Sequence, residues 1–392
     1  MLDFFRTYQR YFFFVITIII VISFSFFGTY SSMSSNPWND QIAFTAIDGK
    51  KISRTDLDEM AFFLATDNAD KQFFGGAWGP NFLNDGVIRN DFLATGMGEQ
   101  IALAYANGLQ SDLDKRLGKE KKYIPYSHPQ APFISVENIW KSFAPQIQEH
   151  FSSLRKEENA LTPQALHNRV QLFLQARQIP PSLLQAILRH QEKQQQWIKP
   201  DIHLNQTDLS LFGYHSLEDW FGPQFTRLIS QFIINAAVLA EEQGYEVSKE
   251  EALADLLRNA QTSYKQNSKN PHLGVTSLGE YVEEQLRRLH MDQTRAIQIW
   301  RNVLLFRRYF YDAAATPVVD SLLSKKLLSF SQAKEENEAP APSSKLAEQM
   351  RKEQTILGNE AQRATMHAVL QQIKEKNAIS FAYLELPKED TP

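Results

Sequence analysis

FTRLISQFIINAAVLAEEQGYEVSKEE, residues 225–251, is the stretch that decides how this chain folds. Leu228, Phe232, Ile233, Ala236 and Leu239 recur at three- and four-residue spacing, so Phe225 to Gln243 is predicted to be an amphipathic helix with one buried stripe. Gly244 follows the last periodic position, where a residue outside the ordinary helical region must end the helix. Val247 and Ser248 come next, and Ser248 with Glu251 forms a predicted capping box for a second helix.

The same grammar continues on both sides. A polar loop at 267–276 precedes predicted helices at 278–289 and 293–311, joined through His290, Met291 and Asp292. Further on, KEENEAPAPSS at 334–344 reads as a linker. Residues 345–376 form a polar helix expected to lie on a surface. Ile379, Phe381 and Tyr383 then alternate with polar neighbours, the period of a strand at 379–386. Upstream, residues 42–53 contain Asp48-Gly49 between two short β-prone runs, a two-residue hairpin signal. Ser53 or Thr55 is placed to cap the helix after it, and Gly75 to Pro80 breaks structure. The hairpin is the only evident partner for strand 379–386.

A weak internal repeat runs through this helical part. Leu103-Ala104 with Asn107-Gly108 matches Leu239-Ala240 with Gln243-Gly244, and residues 166–189 match 278–301. Copies at 81–197 and 224–311 are one reading; shared helical period without duplication is the other.

The chain has 392 residues, 43% apolar and 22% charged, with net charge −4 and no cysteine. That composition is too apolar for disorder. It excludes disulfides, thiol catalysis and Cys-ligated metals, and it does not suit general nucleic-acid binding, which requires a basic footprint. Eight of the 27 Phe fall in the first 30 residues. Residues 11–30, YFFFVITIIIVISFSFFGTY, carry no charge, and ~20 helical residues at ~1.5 Å each match a bilayer core. With Arg6 and Arg10 before this run and no basic residue after it until Lys50, the positive-inside pattern places residues 1–10 in the cytoplasm and the bulk outside. A cleaved secretory signal is the rival reading. The expected organisation is therefore a cytoplasmic N-terminus at 1–10, an anchor at 11–30, an exported helical region at 31–333, a linker at 334–344 and a terminal helix and strand at 345–392.

No metal-binding or nucleophile motif emerges. The nine His show no ligand spacing, and there is no Walker loop, G-x-S-x-G elbow or dinucleotide fingerprint. Neither a cofactor nor a metal is expected, and no catalytic residue is assigned. Lys119 to Lys122, followed by Tyr123 and Tyr126, offers a basic patch for an anionic lipid or phosphate, or simply a solvated loop. Trp78, Phe82, Trp220, Phe221 and Trp300 are the aromatics considered for a groove holding unfolded chains; core packing is the alternative for each.

The order of motifs resembles the membrane-anchored periplasmic folding factors of the SurA/PpiD type. The resemblance rests on the anchor, the hairpin with Asp48 and Gly49, the junction through Gly244, Val247, Ser248 and Glu251, the helix pair meeting at Met291, and the strand-like segment after the helices. It implies a mainly α fold: a transmembrane helix followed by a SurA N-terminal-like helical domain with a small β element. The parvulin isomerase domain of that family has no room after residue 330. The implied function is a membrane-tethered, non-catalytic periplasmic chaperone that binds unfolded exported or outer-membrane polypeptides. The inner membrane would be engaged through 11–30, with the translocon as a possible neighbour. A divergent peptidyl-prolyl isomerase and a structural envelope protein are the alternatives.

Overall fold

The computed structural model describes residues 41–66, 81–195, 197–267, 275–320 and 344–381, with backbone alone for 266–267, 313–320 and 344–359. It is mainly helical. Strands β1 (Ile42–Thr45) and β2 (Lys51–Ser53) lead into α1 (Arg54–Ala65). A π-helical turn at Ile88–Leu93 precedes α2 (Met97–Ala104) and α3 (Ala106–Lys122). Strands β3 (Ser127–His128) and β4 (Ala131–Ser135) form a second hairpin. Helices α4 (Val136–Phe143), α5 (Pro145–Lys156), α6 (Pro163–Ala176), α7 (Pro181–Gln194) and α8 (Leu217–Phe221) follow. The last group is α9 (Pro223–Glu242), α10 (Lys249–Asn267), α11 (Leu278–Arg288), α12 (Gln293–Asp320) and α13 (Ser344–Glu375).

Helix α9 is the axis of the core. Its predicted stripe is buried, and the burial extends to Ile229, Ser230, Gln231 and Asn235. It packs on α1 and α12. Phe232 meets Phe92, Phe306 and Phe310 with ring centroids 6.0, 6.3 and 6.1 Å away. Aromatic contacts of this kind each add roughly 0.5–1.5 kcal/mol beyond burial.

The ends of α9 and two other helices share one device. Gly244 adopts φ +88°, the Tyr245 N–H donates to the Ala240 carbonyl at 3.0 Å, and the Gly244 N–H donates to Glu241 at 3.0 Å. That is a Schellman stop. His290 and Asn377, both at positive φ, close α11 and α13 with the same pair of bonds. Ser248 caps α10 through the Glu251 N–H at 3.0 Å. The Glu251 carboxylate pairs with Arg308. Arg308 is one of four arginines on α12 that stitch it to its neighbours. Arg295 bonds Glu59 at 2.8 Å, Arg301 bonds Glu241 at 2.6 Å, and Arg307 bonds Asp91 at 2.7 Å.

Two expectations need revision. The 42–53 hairpin forms, but its loop is not the two-residue turn predicted. Gly49 alone is at positive φ (+85°), and the Ala46 N–H bonds the Lys50 carbonyl at 2.8 Å. The loop is therefore the three-residue form, a turn followed by a left-handed glycine. Residues 379–381 do not join a sheet. Gln231 takes the place of a strand: its Nε2 donates to the Ser380 carbonyl at 3.0 Å, and its Oε1 accepts the Ser380 N–H at 2.9 Å. Asn235 donates to the Ala378 carbonyl and accepts the Ile47 N–H, both at 2.9 Å. Hairpin and C-terminal segment thus meet through one side-chain amide, and 382–386 lie outside the described residues.

The helix over 345–376 is less superficial than its polarity suggests. Met366, Val369 and Ile373 are fully buried, and α13 packs along α12 and α2. Among the described residues no helix is long and apolar enough to cross a membrane. Even α12, 28 residues long, carries four arginines. The single-pass inner-membrane placement is corrected on that finding; the run at 11–30 from which it was drawn lies outside the described residues.

Candidate functional site

The chain between α3 and α9, joined by Arg89 from ahead of them, builds an open cleft of about 710 Å³. Its floor is aromatic and aliphatic: Trp140 of α4, Ile147 of α5, Phe173 of α6, Leu184 of α7, Tyr214 and Trp220. Polar groups rim it, among them Arg89 from the π-helical turn, Ser182 and Gln185 of α7, and Asn205, Asp208 and His215 from the loop before α8.

The floor is held by edge-on stacking. Trp220 lies 5.7 Å from Phe173, 5.7 Å from Phe212 and 5.2 Å from Tyr214. Behind it, Phe151 contacts Phe212 and Trp140 at 5.7 and 5.5 Å. Helix α8, only five residues long, is fixed at both ends. Ser216 and Asp219 form a capping box, with bonds of 3.1 and 3.0 Å. Arg116 of α3 donates to the carbonyls of Glu218 and Asp219 at 2.6 and 2.8 Å. Trp220 is thus presented by a braced turn rather than by a loose one.

The rim has its own clasp. His215 Nε2 lies 2.9 Å from Asp208 Oδ2, Asp208 Oδ1 accepts the Ser210 N–H at 2.9 Å, and Ser210 Oγ lies 3.4 Å from His215 Nδ1. Burial works against ionisation of Asp208, but the Ser210 hydrogen bonds and His215 outweigh it and hold the carboxyl below its ordinary range. Phe212, buried in the next turn, sits at φ +60°. Strain of that kind persists only where packing over-determines the backbone; here the rings of Phe151, Tyr123 and Trp220 surround it. Burial, reinforced by the Glu120 charge, pushes the Tyr214 hydroxyl up, so it stays protonated at neutral pH.

The aromatics singled out from sequence go to different places. Trp220 lines the cleft, only 4% exposed, and Phe221 behind it packs on Phe173 and Phe225. Trp300 is fully buried under α10, donating from Nε1 to Asp255 at 2.9 Å. Phe82 is half-buried and stacks on Tyr281 at 4.5 Å. Trp78 lies outside the described residues. Asp48 and Gly49 form the hairpin loop, Gly244 and Ser248 are the helix stop and cap, and Val247 and Met291 are core. Sequence reasoning missed Arg89, Trp140, Phe173, Leu184 and His215; the one local signal was the Ser216-x-x-Asp219 box. Among the described residues, no group of three or more His, Asp or Glu is placed to hold a metal.

Chemically, the cleft offers an apolar floor for one or two side chains. The amide and hydroxyl groups on its rim suit a peptide backbone.

A family model described as "conserved hypothetical protein CHP03076, glycine cleavage" matches residues 2–338. The chain belongs to that family. No curated protein and no solved structure matches it. The SurA/PpiD resemblance is thereby corrected, and with it the chaperone, isomerase and transmembrane descriptions it carried. The reason is physical. A Schellman stop followed by a Ser cap is a general way to end one helix and begin another. The stop recurs in this chain at His290 and Asn377.

Proposed function

We propose that this protein binds polypeptide, taking a short extended segment with apolar side chains into the cleft between α6, α7 and α8. The observation that carries this is the braced aromatic floor beneath a rim of amide, hydroxyl and charged groups. Ile179, Pro180 and Pro181 at the mouth give apolar contact area over the nearly closed floor of Trp140, Phe173, Tyr214 and Trp220, while Gln185, Asn205 and Ser182 supply partners for backbone N–H and C=O groups. Such a site gains most of its affinity from buried apolar area and tolerates different sequences. The family description directs the choice of partner: proteins of glycine cleavage are the first to try.

The test fills the cleft. Ser182 is exposed on its rim, at the start of α7, so Ser182→Trp would place an indole over the floor. Titration calorimetry with reduced, carboxymethylated α-lactalbumin, a permanently unfolded chain, should show binding by the parent protein. The variant should lose it at an unchanged melting temperature. Equal binding by both would remove the cleft from the account.

A further inference from the structure

Apolar side chains stand in solvent on a face that the cleft does not use. Ile124 is 82% exposed, Ile202 77%, Trp197 66% and Phe133 50%. They sit on two segments, 124–133 and 197–202, laced together by hydrogen bonds. The Tyr126 hydroxyl donates to Asp201 Oδ2 at 2.9 Å, the Lys199 N–H donates to Gln130 Oε1 at 3.4 Å, and His128 Nε2 lies 3.2 Å from the Lys199 carbonyl. Beneath them the buried Glu192 carboxylate takes Arg189 at 2.8 Å and the Asp201 N–H at 3.1 Å. The Phe133 and Trp197 rings meet 6.2 Å apart. The two segments are thus tied to each other and to the buried Glu192.

Its charge differs from that of the whole chain. Residues 121–133 and 193–202, the two segments with their immediate flanks, contain four lysines against one acidic residue, in a chain of net charge −4. That acid, Asp201, is bonded by Tyr126, and the neighbouring Glu120 and Glu192 are buried against Arg169 and Arg189, so those charges cancel. Lys121, Lys122, Lys193 and Lys199 are exposed. Two copies of such a face would repel, so charge complementarity selects an acidic partner. The exposed amides of Gln130 and Gln194 each have one atom engaged, by the Lys199 N–H and by His190, and offer the other to the directional hydrogen bonds of a peptide backbone rather than a fluid headgroup layer.

We propose that the face formed by 124–133 and 197–202 docks an acidic polypeptide segment bearing apolar side chains. Trp197 and Phe133 are its anchors, as aromatic residues commonly are at protein interfaces, and the lysines attract and orient the partner. This surface is separate from the cleft and stands without it.

Fluorescence anisotropy on the full chain tests the proposal, using a fluorescein-labelled peptide of repeated Glu-Leu-Asp-Phe and a charge-reversed Lys-Leu-Lys-Phe control. The acidic peptide should bind, and about 0.5 M salt should weaken it by screening. Trp197→Ser with Ile202→Ser should cost about tenfold or more, as should Lys121→Glu with Lys122→Glu. The titrations are repeated on the Ser182→Trp chain, whose filled cleft leaves only this face to read; there the acidic peptide should still bind and both double variants should still lose it, with melting temperatures within the parent's range. Equal binding of the basic peptide, or indifference to both double variants, would overturn the proposal. So would sedimentation with phosphatidylserine vesicles in place of peptide binding, or self-association abolished by the Trp197 change.

Discussion

The Glu120 carboxylate and the Arg169 guanidinium face each other through two hydrogen bonds, of 2.9 and 2.7 Å, with both side chains fully buried. The pair joins α3, which carries Arg116 and is capped by Tyr123, to α6, which carries Phe173. It therefore fixes the spacing between the helix that braces α8 and a helix that supplies the cleft floor. Removing one partner strands a buried charge. Glu120→Ala is expected to cost about 3–5 kcal/mol in urea unfolding, whereas Glu120→Leu with Arg169→Met should cost less than that single change.

A second prediction concerns the C-terminal segment. A Cβ on Gly108 would lie 2.5 Å from three ring atoms of Phe381, closer than the packing allows. Gly108→Ala should therefore expel the ring and loosen the Ser380 bonds to Gln231. Hydrogen exchange should rise at 378–381 and stay unchanged in α9.

A third follows from the loop carboxylates. Burial opposes ionisation of Asp201, Asp208 and Asp219, yet hydrogen bonds and nearby charge hold all three below their ordinary values. A carboxyl with a lowered folded-state value stabilises the fold above its unfolded value, near 3.8, and that contribution disappears as pH falls through the folded value. Acidification should thus loosen the 201–219 loop. Asp208→Asn should reduce the acid-induced loss, read as melting temperature against pH. Asp91 runs the other way: burial raises it despite Arg307, so its ionisation costs stability as pH rises above 3.8.

Much of the fold was legible because it is local. The stripe of α9, the stop at Gly244, the caps at Ser53 and Ser248 and the 42–53 hairpin depend on residues a few positions apart. The alternation at 379–383 was misleading because a period of two says nothing of the partner that a strand needs. The missed clue was Gln231 and Asn235, four apart on the buried face of α9, where amides need partners. The cleft was not legible, since its walls come from residues between 89 and 220 on separate elements. No spacing in the chain records their convergence. The exposed Trp197 and Ile202 stand out only against a structure that buries comparable side chains elsewhere.

The chain has no cysteine, so Ser182→Cys creates a unique attachment point at the cleft rim for an environment-sensitive fluorophore. The most direct measurement adds reduced, carboxymethylated α-lactalbumin to that labelled protein and to a control labelled at Ser142→Cys, an exposed position outside the cleft lining. Polypeptide binding in the cleft predicts a saturable blue shift at position 182 and none at 142. No shift at 182, or the same shift at both positions, would contradict it.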